Sequence, residues 1–230
     1  MASAGIRAYD PASRRLTLTM HTRIKICGIR EVAHAQAAAR MGADAVGLVF
    51  YEPSPRHVSI ERAREIVAAL PPFVAAVALF VNPSQAEVAR VLEACPVPLL
   101  QFHGDETPDF CAGFGVPYLK AARVRPGMDL LEYLASYDSA AGWLLDAYRD
   151  DAYGGTGEAF DWNLIPGKLA KPLVLSGGLT PDNVAEAVRR VRPWAVDVSS
   201  GVESAKGRKD EQLIAAFIAA VRAGMNHATV

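Results

Sequence analysis

Two turns rich in glycine and serine near the end of the chain could bind an anion. Residues 176–178 (SGG) follow the apolar run 172–175, and residues 199–201 (SSG) follow the mostly apolar run 195–198. A buried strand that ends in such a turn and leads into a helix presents backbone N–H groups, hydroxyls and a helix N-terminus to an anion. Two such turns in succession indicate one phosphate site.

Two further polar residues stand at the ends of apolar runs and could transfer protons. Cys27 follows residues 23–26, and Asp146 ends the run 142–146 (GWLLD). A free cysteine is often only a small buried apolar residue, but a polar surrounding and nearby helix N-termini would favour its thiolate. A carboxylate at a strand end could cap a helix, or it could act as a general acid. Together the two residues suit a base and an acid on opposite sides of a substrate.

Arg56 and His103 are the other candidates for contacts with a substrate. Arg56 follows Pro55 in a stiff loop, where it is either an ordinary surface arginine or a bidentate clamp for a carboxylate or phosphate. His103 follows residues 99–102 and could position a substrate or simply form a hydrogen bond at the strand end. Asp197 is expected to support the second turn. Because these groups do not cluster at the spacing of metal ligands, we expect no metal site.

The composition is that of a single globular domain. The chain has 230 residues, 51% of them apolar, and its 24 Lys and Arg against 25 Asp and Glu leave a formal charge of -1. The absence of a basic cluster argues against nucleic-acid binding. Three cysteines form neither a disulfide framework nor a CxxC metal pattern, which favours a cytoplasmic protein. Since no uninterrupted apolar stretch approaches about 18 residues, we expect no contact with a membrane.

Short apolar runs alternate with amphipathic segments from residue 23 onward, which is the pattern of repeated βα units around a parallel sheet. A closed (β/α)8 TIM barrel fits better than an open doubly wound sheet, because the first strand ends in residues 27–30 (CGIR) without GxGxxG, and the glycine-rich turns come near the end of the chain. We therefore predict one α/β domain over residues 23–225. The predicted strands are residues 23–27, 45–50, 74–81, 98–102, 117–121, 142–146, 172–175 and 195–198.

Local signals mark several helices and one long loop. Residues 210–223 form an amphipathic helix with an apolar stripe, and residues 147–160 form a loop that would lie at the carboxyl ends of the strands, where it could close over a substrate. Helix starts are predicted at Ser59, at Ser84 with Glu87, at Thr107 before Pro108, and at Thr180 before Pro181.

The first 22 residues differ from the rest in character. They contain three arginines among small residues, no apolar core segment and no clear periodicity. We predict a disordered N-terminal tail, with a transit peptide as the alternative. Met20 could equally be the true start.

These segments together resemble phosphoribosylanthranilate isomerases, enzymes of tryptophan biosynthesis. The resemblance extends from Arg23 to about Asp210, which is nearly the whole predicted barrel. Eight blocks in order and at barrel spacing make the match specific. They are 25–29 (KICGI), 44–50 (DAVGLVF) with 54–56 (SPR), 80–82 (FVN), 101–105 (QFHGD), 144–146 (LLD), 154–157 (GGTG) with 160–162 (FDW), 175–179 (LSGGL) and 197–203 (DVSSGVE).

The resemblance implies an Amadori rearrangement of a phosphoribosyl anthranilate, without a metal or redox cofactor. It assigns the general acid to Asp146 and the general base, as a thiolate, to Cys27. It also implies that Arg56 binds the anthranilate carboxylate and that the two turns hold the ribose 5-phosphate. The residues expected to bind substrate are Arg56, His103, Gly155, Gly157, Gly177, Gly178, Ser199, Ser200 and Gly201.

Two other functions compete with this one. The first is another phosphoribosyl-amine isomerase of the barrel type, from histidine biosynthesis, although such enzymes usually employ two aspartates. The second is a barrel that binds a phosphosugar without catalysis. For the assembly we expect a monomer, with a homodimer as the alternative, because packing on the barrel accounts for the apolar helix stripes.

Overall fold

The computed structural model describes residues 21–125, 127–147 and 161–226. Eight parallel strands form a closed barrel in chain order, with β1 paired to both β2 and β8. The (β/α)8 TIM barrel and all eight predicted strands are confirmed, and β5 extends three residues beyond the predicted end. The strands are β1 Arg23–Cys27, β2 Ala45–Val49, β3 Ala75–Phe80, β4 Leu99–Phe102, β5 Tyr118–Val124, β6 Gly142–Ala147, β7 Leu173–Leu175 and β8 Ala195–Val198.

The alternation of side chains along each strand separates a large core from the barrel interior. Ile24 and Ile26 of β1 belong to the apolar cluster that includes the buried helix residues. Cys27 packs instead in a small cluster with Val49 and Leu79. Since Lys25 has the same parity as Cys27, both side chains face the interior of the barrel.

The helices lie between the strands and cover the barrel. Between β6 and β7, the described residues form only a 3-10 turn, Trp162–Leu164, and a second 3-10 turn, Ser200–Val202, follows β8. A small hairpin of β9 (Glu203–Ala205) and β10 (Arg208–Lys209) precedes the last helix. The helices are α1 Val32–Met41, α2 Ile60–Ala68, α3 Gln85–Ala94, α4 Pro108–Ala112, α5 Leu130–Ala135, α6 Val184–Val191 and α7 Glu211–Asn226.

Three of the four predicted helix starts are confirmed. The side chains of Ser59, Ser84 and Thr107 each accept the expected hydrogen bond from a backbone N–H of the first turn. The fourth is wrong, because α6 begins at Val184 and not after Thr180. Asn183 explains the delay: its side chain accepts from the Thr180 N–H and donates to the Gly178 carbonyl, which holds a separate turn ahead of the helix.

The described structure begins close to the predicted start of the barrel. Residues 1–20 of the predicted tail lie outside the described residues. Thr22, predicted to belong to the tail, is buried, and its hydroxyl donates to the Pro193 carbonyl at 3.1 Å. Within residues 21–125, 127–147 and 161–226, no helix is both long and apolar enough to cross a membrane.

Candidate active site

Closure of the barrel places Cys27 beside the last of the two predicted turns. The Ser199 hydroxyl donates to the Cys27 carbonyl at 3.2 Å, although the two residues are 172 positions apart in sequence. The thiol lies against β2, where a Cβ at Gly47 would be only 2.6 Å from Sγ. Gly47 therefore leaves room for the sulfur. In the sequence, the role of Gly47 is indicated only by the position of a glycine inside a strand, where it often allows another group to approach the backbone closely.

A buried ion pair lies one layer below the thiol. Lys25 Nζ donates to Asp197 Oδ1 at 2.9 Å, and both side chains are almost fully buried. Burial opposes the charge on Lys25, but Asp197, together with Cys27 when that residue is ionised, outweighs it and raises the pKa of the ammonium group above its usual value. Asp197, expected to support the phosphate turn, thus forms a contact within the barrel and fixes a positive charge near Cys27.

Burial also governs the ionisation of Cys27. The residue is 5% exposed, and its burial raises the pKa of the thiol above its ordinary value, against the opposing effect of Lys25. Burial thus opposes the thiolate that a polar surrounding would favour. Lys25 and Lys209 lower the cost of the charged form without reversing the effect of burial.

The carboxyl group of Asp146 forms two contacts at the end of β6. Oδ2 lies 3.0 Å from His103 Nε2, and Oδ1 accepts the Ala147 N–H at 2.9 Å. His103, predicted to bind substrate, thus contacts Asp146. Its other ring nitrogen, Nδ1, lies 2.9 Å from the side-chain nitrogen of Gln101. Gln101 was not singled out in the sequence, although it is a polar residue in an apolar strand and is two positions from His103.

Ion pairs behind His103 hold the loop that follows β4. The Gly104 N–H donates to both carboxylate oxygens of Glu106, at 3.1 and 3.0 Å. Lys120 of β5 pairs with the same carboxylate at 2.7 Å and is fully buried. The backbone next to His103 is therefore fixed by charge-assisted hydrogen bonds, which favours a single position of the imidazole ring.

Gly177 allows the turn after β7 to approach Asp146. It has a φ of 81°, and a Cβ at this position would lie 2.8 Å from Asp146 Oδ1 and 2.5 Å from the Ala147 nitrogen. Only glycine fits both the left-handed backbone and the close contact. The turn predicted to bind phosphate therefore lies directly against the predicted acid.

The two predicted phosphate turns pack against each other. A Cβ at Gly201 would lie 2.0 Å from the carbonyl oxygen of Leu179, so the turn after β8 lies in close contact with the turn after β7. The Gly178 carbonyl is fixed by Asn183, and Ser200 begins the 3-10 turn after β8. The structure brings Gly177, Gly178, Ser199, Ser200 and Gly201 into one region, as the sequence predicted. Gly155 and Gly157 lie outside the described residues.

Arg56 is engaged by a partner that the sequence did not indicate. Its Nε and Nη2 each donate to a carboxylate oxygen of Glu203 at 2.8 Å. Glu203 also accepts from Lys209 Nζ at 2.7 Å. Burial disfavours the charge of Glu203, but Arg56 and Lys209 outweigh it and lower the pKa of the carboxyl group. The Arg56 guanidinium group is therefore buried and held in one orientation. Its Nη1 N–H groups do not bind Glu203.

Lys209 adds a positive charge to the turn after β8. Its Nζ donates to the Ser199 carbonyl at 2.9 Å as well as to Glu203. Burial lowers the pKa of Lys209, although Glu203 acts in the opposite direction. The residue lies in the two-residue strand β10, where no local pattern distinguishes it from a surface lysine. Across the described ranges, no three His, Cys, Asp or Glu side chains meet as a metal site would require.

Comparison with known proteins gives a consistent result. The family described as N-(5'phosphoribosyl)anthranilate (PRA) isomerase matches residues 24–220. An N-(5'-phosphoribosyl)anthranilate isomerase from Pseudomonas aeruginosa is 61% identical over 200 residues, which cover 87% of this chain and 95% of that protein.

Solved structures agree with the sequence comparison. Phosphoribosyl anthranilate isomerase from Thermotoga maritima superposes with a TM-score of 0.81 at 40% identity, covering 88% of this chain and 99% of that one. A second phosphoribosyl anthranilate isomerase structure, in complex with reduced 1-(o-carboxyphenylamino)-1-deoxyribulose 5-phosphate, has a TM-score of 0.76 at 37% identity, covering 88% and 99%.

The ionisation of Cys27 can be measured directly in the free protein. Because burial raises the pKa of the thiol, thiolate absorbance in the ultraviolet should be absent at neutral pH and should appear only as the pH rises above the range of an ordinary thiol. The signal is the difference between wild type and Cys27→Ser during a pH titration. The buried Cys95 and Cys111 are common to both proteins and cancel. A thiolate difference already present at neutral pH would contradict this assignment.

Proposed function

The chain belongs to the N-(5'-phosphoribosyl)anthranilate isomerase family, and from that premise we propose how its residues carry out the reaction. The enzyme is an isomerase of the aldose–ketose type in tryptophan biosynthesis. It converts N-(5-phosphoribosyl)anthranilate into 1-(2-carboxyphenylamino)-1-deoxyribulose 5-phosphate by an Amadori rearrangement. Family membership sets aside the histidine-pathway isomerase and the non-catalytic barrel.

Asp146 acts as the general acid that opens the ribose ring. Its carboxylic proton passes to the ring oxygen, the bond between that oxygen and C1 breaks, and the nitrogen lone pair forms a C1–N double bond. The observation that supports this role is the placement of a buried carboxyl group, held by His103 and Ala147, directly against Gly177 of the phosphate turn. A fixed donor in a water-poor site is what general acid catalysis requires.

Cys27 acts as the general base in the second step. Its thiolate removes the proton from C2, and the electrons of that C–H bond form the C1–C2 double bond while the nitrogen becomes neutral. The resulting enolamine then gains a proton from solvent at C1 and loses the proton of the C2 hydroxyl to solvent to give the ketone. Because burial raises the pKa of the thiol, the sulfur first gives its proton to solvent water. The Lys25 ammonium group favours the charged form.

The two ends of the substrate bind at different parts of the rim. The phosphate lies in the region where the turns after β7 and β8 meet, near the Lys209 charge. The anthranilate carboxylate binds to the guanidinium N–H groups of Arg56 that Glu203 leaves unused. Gly155 and Gly157 remain predicted contacts of the substrate. His103 is assigned a hydrogen bond to Asp146 and not a contact with the substrate.

The cellular setting follows from simple features of the chain. All three cysteines are buried and free, which favours a reducing compartment, and we place the enzyme in the cytoplasm. Its partner is a small phosphoribosyl molecule, and the formal charge of -1 gives no basis for nucleic-acid binding.

For the assembly we propose a monomer, with a homodimer as the alternative. In the described ranges the exposed large apolar residues are Phe73, Leu131, Leu164 and Trp194, which lie on four separate segments. A few exposed apolar side chains are normal on monomers. Sedimentation equilibrium should give the mass of one chain. A mass twice as large for wild type, which falls to that of one chain in Phe73→Ser, would establish the dimer instead.

The acid and base can be tested by following the loss of anthranilate fluorescence. We expect Cys27→Ser and Asp146→Asn each to lower kcat by about 10²- to 10⁴-fold, because each removes one proton-transfer group. Matched controls are Cys111→Ser, in α4, and Asp44→Asn, at the opposite end of the barrel, and both should retain turnover. Near-normal turnover in Cys27→Ser or Asp146→Asn, with substrate generated in situ, would remove that residue from the mechanism.

The role of Arg56 can be separated from catalysis through KM. Arg56→Ala should raise KM by about 10- to 100-fold with a smaller change in kcat, since it loses charge-assisted hydrogen bonds to the carboxylate. Glu203 keeps Lys209 as its partner in this variant. Arg62→Ala, an exposed arginine of α2, serves as control. If KM is unchanged in Arg56→Ala, the carboxylate binds elsewhere.

A further inference from the structure

Gln101 is a fully buried polar side chain that the reaction as described does not use. It lies on β4, and its amide nitrogen is 2.9 Å from His103 Nδ1. Its carbonyl oxygen, Oε1, is buried without a hydrogen-bond partner among the described residues. A buried acceptor left unpaired is unfavourable, so its retention calls for an explanation.

The contact between Gln101 and His103 determines where the imidazole carries its proton. An amide nitrogen can only donate, so Nδ1 must accept and must itself be unprotonated. A neutral imidazole then carries its proton on Nε2, which lies 3.0 Å from Asp146 Oδ2. The three side chains thus form a series of hydrogen bonds in which Gln101 donates to His103, and His103 donates to Asp146.

These hydrogen bonds give the two carboxyl oxygens of Asp146 different surroundings. Oδ2 accepts a hydrogen bond from the Nε2–H of His103, which makes it the less favourable oxygen for the acid proton. Oδ1 accepts only the Ala147 N–H, at 2.9 Å. It also packs against Gly177 of the turn after β7, where a Cβ would lie only 2.8 Å from Oδ1.

With the phosphate bound as proposed, the connectivity of the substrate brings its ring oxygen to the same side. In a 5-phosphoribosyl group the ring oxygen is bonded to C4, which carries C5 and its phosphate. A phosphate in the turns after β7 and β8 therefore holds the ring oxygen near Gly177. Oδ1 is the carboxyl oxygen next to that glycine.

We propose that Gln101 is a positioning residue of the reaction: by fixing the Nε2–H tautomer of His103, it directs the catalytic proton of Asp146 to Oδ1. The inference rests on the proposed role of Asp146 as the acid. When Asp146 gives its Oδ1 proton to the ring oxygen, the new carboxylate keeps the hydrogen bond from His103 on Oδ2. Neither His103 nor Gln101 has to move or change its protonation during that step.

The opposite orientation of the amide explains why a donor is needed at this position. With Oε1 turned towards His103, Nδ1 would carry the proton and Nε2 would become an acceptor. The acid proton of Asp146 would then be drawn to Oδ2, between Asp146 and His103 and away from the ring oxygen. A residue that can only accept at position 101 should therefore misplace the proton.

Kinetics test the proposal with side chains of similar length. We expect Gln101→Met to lower kcat by about tenfold with KM changed less than about twofold, because it removes one hydrogen bond to His103 and no contact with substrate. Gln101→Glu, which accepts from Nδ1, should lower kcat at least as far. The control is Leu119→Met, which changes the barrel interior at the neighbouring register position without a polar group. Wild-type kcat in either Gln101 variant would overturn the proposal.

Nitrogen NMR of 15N-labelled histidine supplies the readout that a merely structural role would not change. Wild-type His103, assigned by comparison with His103→Asn, should show protonated Nε2 and unprotonated Nδ1. Gln101→Glu should protonate Nδ1. A wild-type His103 protonated on Nδ1 would overturn the proposal even if neither variant folds. If Asp146→Asn loses turnover but Gln101→Met keeps the wild-type kcat, only this inference is refuted. Normal turnover in Asp146→Asn would refute the proposed acid itself.

Discussion

Pairing between the first and the last strand closes the barrel, and the site depends on that closure. Lys25 of β1 stands opposite Asp197 of β8 in the strand register, and Ile26 stands opposite Val198. Cys27 and the turn at Ser199 follow directly and come into hydrogen-bond contact. In an open sheet with the same strand order, the first and last strands would lie at opposite edges. Closure therefore joins the proposed base to the proposed phosphate site.

Buried charges then fix the rim in one arrangement. Glu203 binds Arg56 from the loop after β2 and Lys209 from β10, so two distant segments share one carboxylate. Burial of charge is costly unless the groups are paired, and loss of one partner leaves the other uncompensated. The same pairing holds groups in position before substrate arrives, which is the source of electrostatic catalysis in a water-poor site. Cys27 differs, because burial opposes its charge and raises the pKa of the thiol.

The strands were predictable from the sequence because they depend on local pattern, and apolar runs located all eight of them. The position of the proposed acid and base at strand ends follows from the same pattern. The partner of Arg56 was not predictable, since Glu203 is 147 positions away and meets it only after the barrel closes. The ionisation of Cys27 could not be predicted from the sequence, because it depends on burial by neighbouring strands, which opposes the effect of the nearby positive charges. The start of α6 was missed because Asn183 bonds to the preceding turn.

The central claim is that Cys27 removes the C2 proton after Asp146 has opened the ring. Its most direct test uses substrate labelled with tritium at C2 of the ribose and measures the label released into water in a single turnover. The mechanism predicts release by wild type at the rate at which fluorescence is lost. It predicts no release above background by Cys27→Ser or by Asp146→Asn. Release by Cys27→Ser at the wild-type rate would show that another group removes the proton, and would contradict the mechanism.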